Sequence, residues 1–240
     1  MTRTSAARAA ARLALATSLA AAAASVPVTS PVAAAPLAAQ QQRTPDAGEI
    51  IGRAARVYRS LGSLRADFAQ QIDDEMVGRS ESRGTLAQAG EARLAMRFSE
   101  PAGDAIIIDG RQIWVYTPST TPGQVIRMTL PSGGPVYGFN LLAWLLDRPA
   151  ERYQARYLGA DRVSGVPVDV IELVPLSQDM PFTRAVISLG RADALPRRLE
   201  IHERAGGTRT LTLSNLRVNR GVPDATFKFE VPAGVRVVDQ

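Results

Sequence analysis

Arg93–Pro118 reads Arg-Leu-Ala-Met-Arg-Phe-Ser-Glu-Pro, then Ala-Gly-Asp-Ala-Ile-Ile-Ile-Asp-Gly, then Arg-Gln-Ile-Trp-Val-Tyr-Thr-Pro. In the first piece Leu94, Met96 and Phe98 fall on one side, and Arg93, Ala95 and Arg97 on the other. That is the period of a half-buried strand. Asp109-Gly110 sits between two apolar runs, the strongest short hairpin signal a sequence offers. The stretch predicts three successive antiparallel strands sharing one apolar face.

Working outward, Pro45-Asp46 opens a helix in which Ile50, Ile51, Ala54, Val57, Tyr58 and Leu61 recur at helical spacing, with Gly62 as its stop. Leu64–Ile72 alternates as a strand, and Ser82–Ala89 is the next. Asp73-Asp74-Glu75 falls where a strand turns and reads as a solvated turn rather than a metal site. After Pro118, Gln124–Leu130 forms a strand with Ile126 and Met128 on one side. Phe139–Asp147 is a short helix, apolar nearly all round, and such a helix is buried on more than one side or covers an apolar site. Five further strands follow: Tyr153–Leu158, Val166–Val174, Thr183–Leu189, Pro196–Glu203 and Thr208–Leu216. About ten strands and two helices, joined mostly by short turns, predict an antiparallel sheet that must close, split or curl strongly.

Composition excludes much of catalysis. The chain has no cysteine and one histidine, His202, which removes disulfides, thiolate zinc sites, thiol nucleophiles and two-histidine metal motifs. His202 lies on the polar side of its strand. No phosphate loop, no Gly-x-Ser-x-Gly and no placed carboxylate pair is present, so the sequence points away from an enzyme and to no cofactor. The 45% hydrophobic content is enough for a packed core. Arg3, Arg8 and Arg12 make up three of the +5 formal charge, and the remaining charges are scattered without a basic run, against nucleic-acid binding. With the apolar run Leu13–Ala24 those arginines form an export signal, and Ser25–Thr44 is an Ala, Pro, Val and Gln tether. Residues 1–44 are thus targeting segment and tether, and 45–240 the folded domain.

The informative feature is apolar. Leu94, Met96, Phe98, Ile106, Ile108, Trp114, Tyr116, Ile126 and Met128 lie on consecutive strands beside the apolar helix carrying Phe139, Leu142, Leu145 and Leu146. These residues build either a plain core or a lined cavity.

The chain resembles the LolA family of periplasmic lipoprotein carriers from about Ile50 to Gln240. The resemblance rests on Leu61-Gly-Ser-Leu-Arg-Ala-Asp-Phe-Ala-Gln70, Ser82-Arg-Gly-Thr-Leu86, Ile107-Ile-Asp-Gly-Arg-Gln-Ile-Trp-Val-Tyr-Thr-Pro118 and Phe227-Lys-Phe-Glu-Val-Pro-Ala-Gly-Val235. It implies an incomplete antiparallel β-barrel with helices as a lid over a hydrophobic cavity for the acyl chains of lipoproteins. It also implies a monomer that accepts cargo from an inner-membrane ABC transporter complex and passes it to an outer-membrane receptor. The nine strand residues above would be cavity wall, and Phe139, Leu142, Leu145 and Leu146 lid. Gly90-Glu91 stands where the family often carries Arg-Pro, whose arginine ties lid to barrel; Arg93 is the candidate substitute, which a strand position outside the cavity would disqualify. The alternative is a lipid-sensing regulator of envelope-stress signalling of the RseB type, which uses a similar half-barrel with an additional smaller domain. The chain ends soon after its half-barrel motif.

Overall fold

A computed structural model describes residues 45–76, 78–131 and 136–240; the expected export segment and tether lie outside them. Helix α1 spans Ala47–Arg59, and the six strands of the first half follow: β1 (Ser63–Asp74), β2 (Gly78–Ala89), β3 (Arg93–Glu100), β4 (Ala102–Asp109), β5 (Gln112–Tyr116) and β6 (Gln124–Thr129). Two short helices, α2 (Leu141–Leu146) and α3 (Pro149–Arg152), precede the second run: β7 (Tyr153–Val163), β8 (Val166–Pro175), β9 (Phe182–Gly190), β10 (Pro196–Glu203) and β11 (Thr208–Val218). A 3₁₀ turn at Asp224–Phe227 leads to β12 (Arg236–Asp239).

The twelve strands make one sheet in the order β12-β6-β5-β4-β3-β2-β1-β11-β10-β9-β8-β7. Each half is an antiparallel meander, and the halves join where β1 pairs with β11. The two ends of the sheet, β12 and β7, do not pair with each other, so the sheet is a half-open barrel. All pairings are antiparallel except β12 beside β6, where Val237 stands opposite Val125 and Val238 opposite Ile126. Sequence periodicity did not announce this parallel addition, because four residues are too few to show an alternation. It is held by a forked ion pair, Arg127 Nε to Asp239 Oδ1 at 2.6 Å and Nη2 to Oδ2 at 2.8 Å.

Local chemistry explains the elements. Asp46 caps α1, its carboxylate accepting from the backbone N–H of Gly48 at 2.8 Å and Glu49 at 3.3 Å. Glu49 sits in the first turn, and Arg56 and Arg59 in the last, each favourable to the helix dipole. Asp109 ends β4, and its carboxylate accepts the backbone N–H of Arg111 and Gln112 at 2.8 Å each, while Gly110 takes a φ of 100° that glycine adopts without strain.

Helices cover one face of the sheet. There Ile51, Ala54, Ala55 and Tyr58 of α1 and Leu142, Leu145 and Leu146 of α2 join Phe68, Leu94, Ile108, Ile171, Ile187, Leu199 and Leu213 in one core. The opposite, outer face carries a smaller apolar cluster of Ala87, Ala95, Ala105, Ile107 and Phe227, against which Trp114 and Phe229 pack. The segment around Phe227 and Phe229 therefore straps the outside of β3–β5. Arg97 donates to the strap carbonyls of Thr226 at 3.5 Å and Lys228 at 3.4 Å.

Candidate functional site: the helix-covered face

Register decides which side chains share the covered face, because residues directly opposite on paired strands point the same way. Leu94 pairs with Ile108, and Met96 with Ile106 and Leu86. Phe98 stands opposite Gly84. Ile113 pairs with Ile108 and Met128, and Val115 with Ile106 and Ile126. Leu94, Met96, Phe98, Ile106, Ile108, Ile126 and Met128 thus lie together on the covered face. The structure adds Phe68, Leu86, Ile113 and Val115 to this wall.

Trp114 and Tyr116 do not belong to it. Their cross-strand partners are Ile107 and Ala105, on the outer face. Trp114 stacks on Phe229 with centroids 5.5 Å apart, and Tyr116 packs tilted on the same ring at 5.6 Å. The physical reason is that Ile113–Tyr116 is apolar on both sides, so alternation fixes two sets of residues without saying which is inside. The C-terminal strap supplies the outer cover that Trp114 and Tyr116 need.

Asp109 anchors this outer cluster, and it carries a pH prediction. Burial, the largest single influence, works against its charge. The Trp114 indole N–H at 3.0 Å and the backbone N–H groups of Gln112 and Arg111 outweigh it, so its pKa falls below the ordinary 3.8. A depressed folded-state pKa gives stability that is present above the unfolded pKa and lost as pH falls through the folded one. Asp109→Asn should therefore flatten the acid limb of stability against pH, measured by urea unfolding from neutral pH downward. Equal acid slopes in the two proteins would refute this.

Arg93 is also on the outer face. Its Nη1 donates to Asp224 Oδ1 at 2.6 Å, and its guanidinium lies 5.0 Å from the centroid of Phe227. It ties the strap and not the lid, which corrects its expected role as latch. The alternation of Arg93 with Leu94 requires this placement once Leu94 faces inward.

Each helix has its own fastening. On α1, the Tyr58 hydroxyl donates to Gln88 Oε1 of β2 at 2.5 Å, a bond buried within the core. Gln88 Nε2 donates in turn to the carbonyl of Gly90 at 2.8 Å. Burial pushes the Tyr58 hydroxyl well above its ordinary pKa, so it stays a donor at any physiological pH. On α2, Asn140 caps the N-terminus through Oδ1, which accepts the Ala143 N–H at 3.2 Å. The C-terminal end is held by Arg152 of α3. Its Nη1 donates to the carbonyls of Trp144 at 2.6 Å and Asp147 at 3.3 Å, and the guanidinium lies 4.1 Å from the Trp144 centroid. Trp144 in turn meets Phe182 edge-on at 5.8 Å and Tyr137 at 4.9 Å.

Of the expected lid residues, Leu142, Leu145 and Leu146 are buried against the sheet, and Phe139 is half-buried in the turn before α2. A small cavity of about 60 Å³ remains beneath them, walled by Leu86, Leu94, Met96, Phe98, Ile106, Phe139, Leu141, Leu142 and Leu211, with Gln70, Asn140 and Arg209 at its edge. The hollow expected from the sequence is therefore filled mostly by the lid's own leucines. Larger depressions of about 430, 530 and 580 Å³ exist, but charged and polar side chains such as Glu81, Arg83, Arg65, Arg217, Asp74 and Arg79 line them. Among the described residues no group of His, Asp or Glu could hold a metal ion.

The family model for the outer membrane lipoprotein carrier protein LolA matches residues 59–230. An outer-membrane lipoprotein carrier protein of Methylobacillus flagellatus is 23% identical over 184 residues, 76% of this chain and 85% of that protein. Among solved structures, an uncharacterized conserved protein from Thermus thermophilus superposes with a TM-score of 0.53 at 16% identity, over 81% of this chain and 99% of that one. A chain of the Pseudomonas aeruginosa MucA/MucB complex gives 0.50 at 18% identity, over 81% of this chain and 64% of that one. Both likenesses are likenesses of fold. Half-barrel, helical lid and family match converge: the chain belongs to the LolA family, the outer-membrane lipoprotein carrier proteins, a family of carriers and not of enzymes.

Proposed function

We propose that this protein is a periplasmic carrier that binds the acyl chains of lipoproteins between the covered face of its half-barrel and its helical lid. It would receive them from an inner-membrane ABC transporter complex and deliver them to an outer-membrane receptor. One chain supplies both wall and lid, so a monomer is the carrying unit. The observation that carries the reading is the construction of the covered face. Its apolar wall runs unbroken from β2 to β6 and is roofed by short helices, one of which is fastened at its C-terminal end by a single arginine, Arg152.

The energetics fit transfer rather than storage. Burying about 14 methylenes at about 0.8 kcal/mol each contributes on the order of 10 kcal/mol, enough to carry a lipid through water and too much for easy release. The lid leucines already occupy the site, so loading must displace their contacts. That competition lowers net affinity into a range from which cargo can leave, and it does so without nucleotide.

Co-purification tests this. The protein isolated from a periplasmic extract should carry acylated lipoprotein detectable by mass spectrometry, and the delipidated protein should take up a synthetic diacylated lipopeptide. Material that is always lipid-free and takes up no lipopeptide would overturn the proposal. Recovery of a bound signalling protein in place of lipoprotein would favour the regulator reading.

A further inference from the structure

Three of the five buried side-chain atoms that lack a hydrogen-bond partner among the described residues belong to residues at or beside the cavity: Tyr137 Oη, Asn140 Nδ2 and Arg209 Nε. Asn140 and Arg209 line the cavity itself, and Tyr137 lies beside Arg209 and Glu203. Asn140 is 3% exposed, and its Oδ1 is committed to the Ala143 N–H while its Nδ2 has no partner among the described residues. Arg209 Nε is 3.3 Å from Glu203 Oε1, but its N–H is not aligned on that oxygen. Glu203 acts on the Tyr137 hydroxyl both by its charge and by a hydrogen bond that falls short of good geometry. Burial first, and Glu203 second, push its pKa up to about 12, so it remains a neutral O–H.

A buried donor without an acceptor is costly, and each such atom in a folded protein calls for a reason. Two of these three groups can only donate, and the third carries a proton to give. The missing partner is therefore an acceptor. It must also be neutral, because Glu203 already balances Arg209 and would repel a second anion. An apolar cavity ending in donors, beside an ion pair that is already balanced, suits an oxygen that accepts, does not donate and is attached to a hydrocarbon chain.

We propose that Tyr137, Asn140 and Arg209 form a hydrogen-bonding subsite for the neutral ester or amide carbonyl at the head of a bound acyl chain. The subsite rests on the carrier reading and adds a chemical preference: acyl esters and amides over bare hydrocarbon and over free fatty-acid carboxylates. It places the head of the ligand at the Asn140 end of the lid and the tail along β3 and β4.

The test compares two probes on the full chain, a pyrenyl fatty-acid methyl ester and the alkylpyrene of equal length without the carbonyl. The wild-type protein should bind the ester more tightly. Tyr137→Phe removes only the hydroxyl and should weaken the ester about fivefold, the worth of one hydrogen bond, leaving the alkylpyrene unchanged. Arg209→Met should weaken the ester about tenfold, and its retained alkylpyrene binding would report an intact fold. Asn140 is left in place because it also caps α2. If both variants treat the two probes as the wild type does, the donors serve something else, such as an internal water, and the subsite is overturned while the carrier reading stands. If the wild type binds neither probe, the carrier reading falls and the subsite with it.

Discussion

Replacing Arg152 by methionine should release the C-terminal end of α2 and raise uptake of an apolar fluorophore. Methionine keeps the apolar stem of the side chain and removes only the guanidinium. What is lost is a charged donor to two carbonyls, Trp144 and Asp147, and a cation resting on the Trp144 ring. Charge-assisted hydrogen bonds contribute about 1.5–3 kcal/mol and an exposed cation–π contact about 0.5–1 kcal/mol. The loss should total about 2–4 kcal/mol and raise the population of the lid-open state about 30- to 1000-fold. Amide hydrogen exchange of Leu145 and Leu146 should accelerate by that factor, while exchange in β1 and β2 stays slow. Lysine at the same position should give an intermediate result, since it keeps the charge but not the planar fork. Unchanged protection of α2 in the methionine variant would show that the lid is held by its leucines alone.

Gly84→Ala should be among the most destabilising single changes in the chain. An added Cβ would stand 2.8 Å from Phe98 Cα and closer still to the carbonyl oxygen of Arg97, both backbone atoms of β3 that cannot turn aside. Gly84 lies between Phe68 on β1 and Phe98 on β3 in the register, at a point where the β2–β3 pairing shifts. The two rings meet edge-on with centroids 5.1 Å apart. An added methyl must part β2 from β3. Overpacking of this kind costs about 3 kcal/mol or more, and should lower Tm by about 6–12 °C for a domain of this size. Gly52→Ala, in α1, is the internal control. Its Cβ would meet nothing nearer than Arg56 Nη1 at 3.5 Å, and alanine's better helix propensity should stabilise by up to about 1 kcal/mol. A Tm for Gly84→Ala within about 2 °C of wild type, well short of that shift, would contradict the close approach of the two strands.

Much of the fold was legible because its signals are local. Leu94, Met96 and Phe98 alternate with Arg93, Ala95 and Arg97, so the face with the large apolar side chains had to be buried. Asp109-Gly110 had to turn, since its carboxylate and its missing side chain suit a tight reversal. Asp46 caps α1 where it stands. The outward direction of Arg93 was implied by its neighbour Leu94, and a position outside the cavity is what disqualifies it as a latch. Arg152 and the cluster of Tyr137, Asn140 and Arg209 left no such trace. Their surroundings are backbone carbonyls and distant strands, and no periodicity encodes that residues 140 and 209 line one cavity.

The amino-acid order alone determined a mainly antiparallel sheet with one apolar face and an apolar helix to lay over it, because alternation and turn chemistry act between neighbours a few residues apart. Tertiary structure alone decided which way Trp114 and Tyr116 point, how far the lid fills the half-barrel, and which arginine holds it. On a strand apolar on both sides, orientation is set by what arrives to cover each face. Here that was Phe229, more than a hundred residues further along the chain.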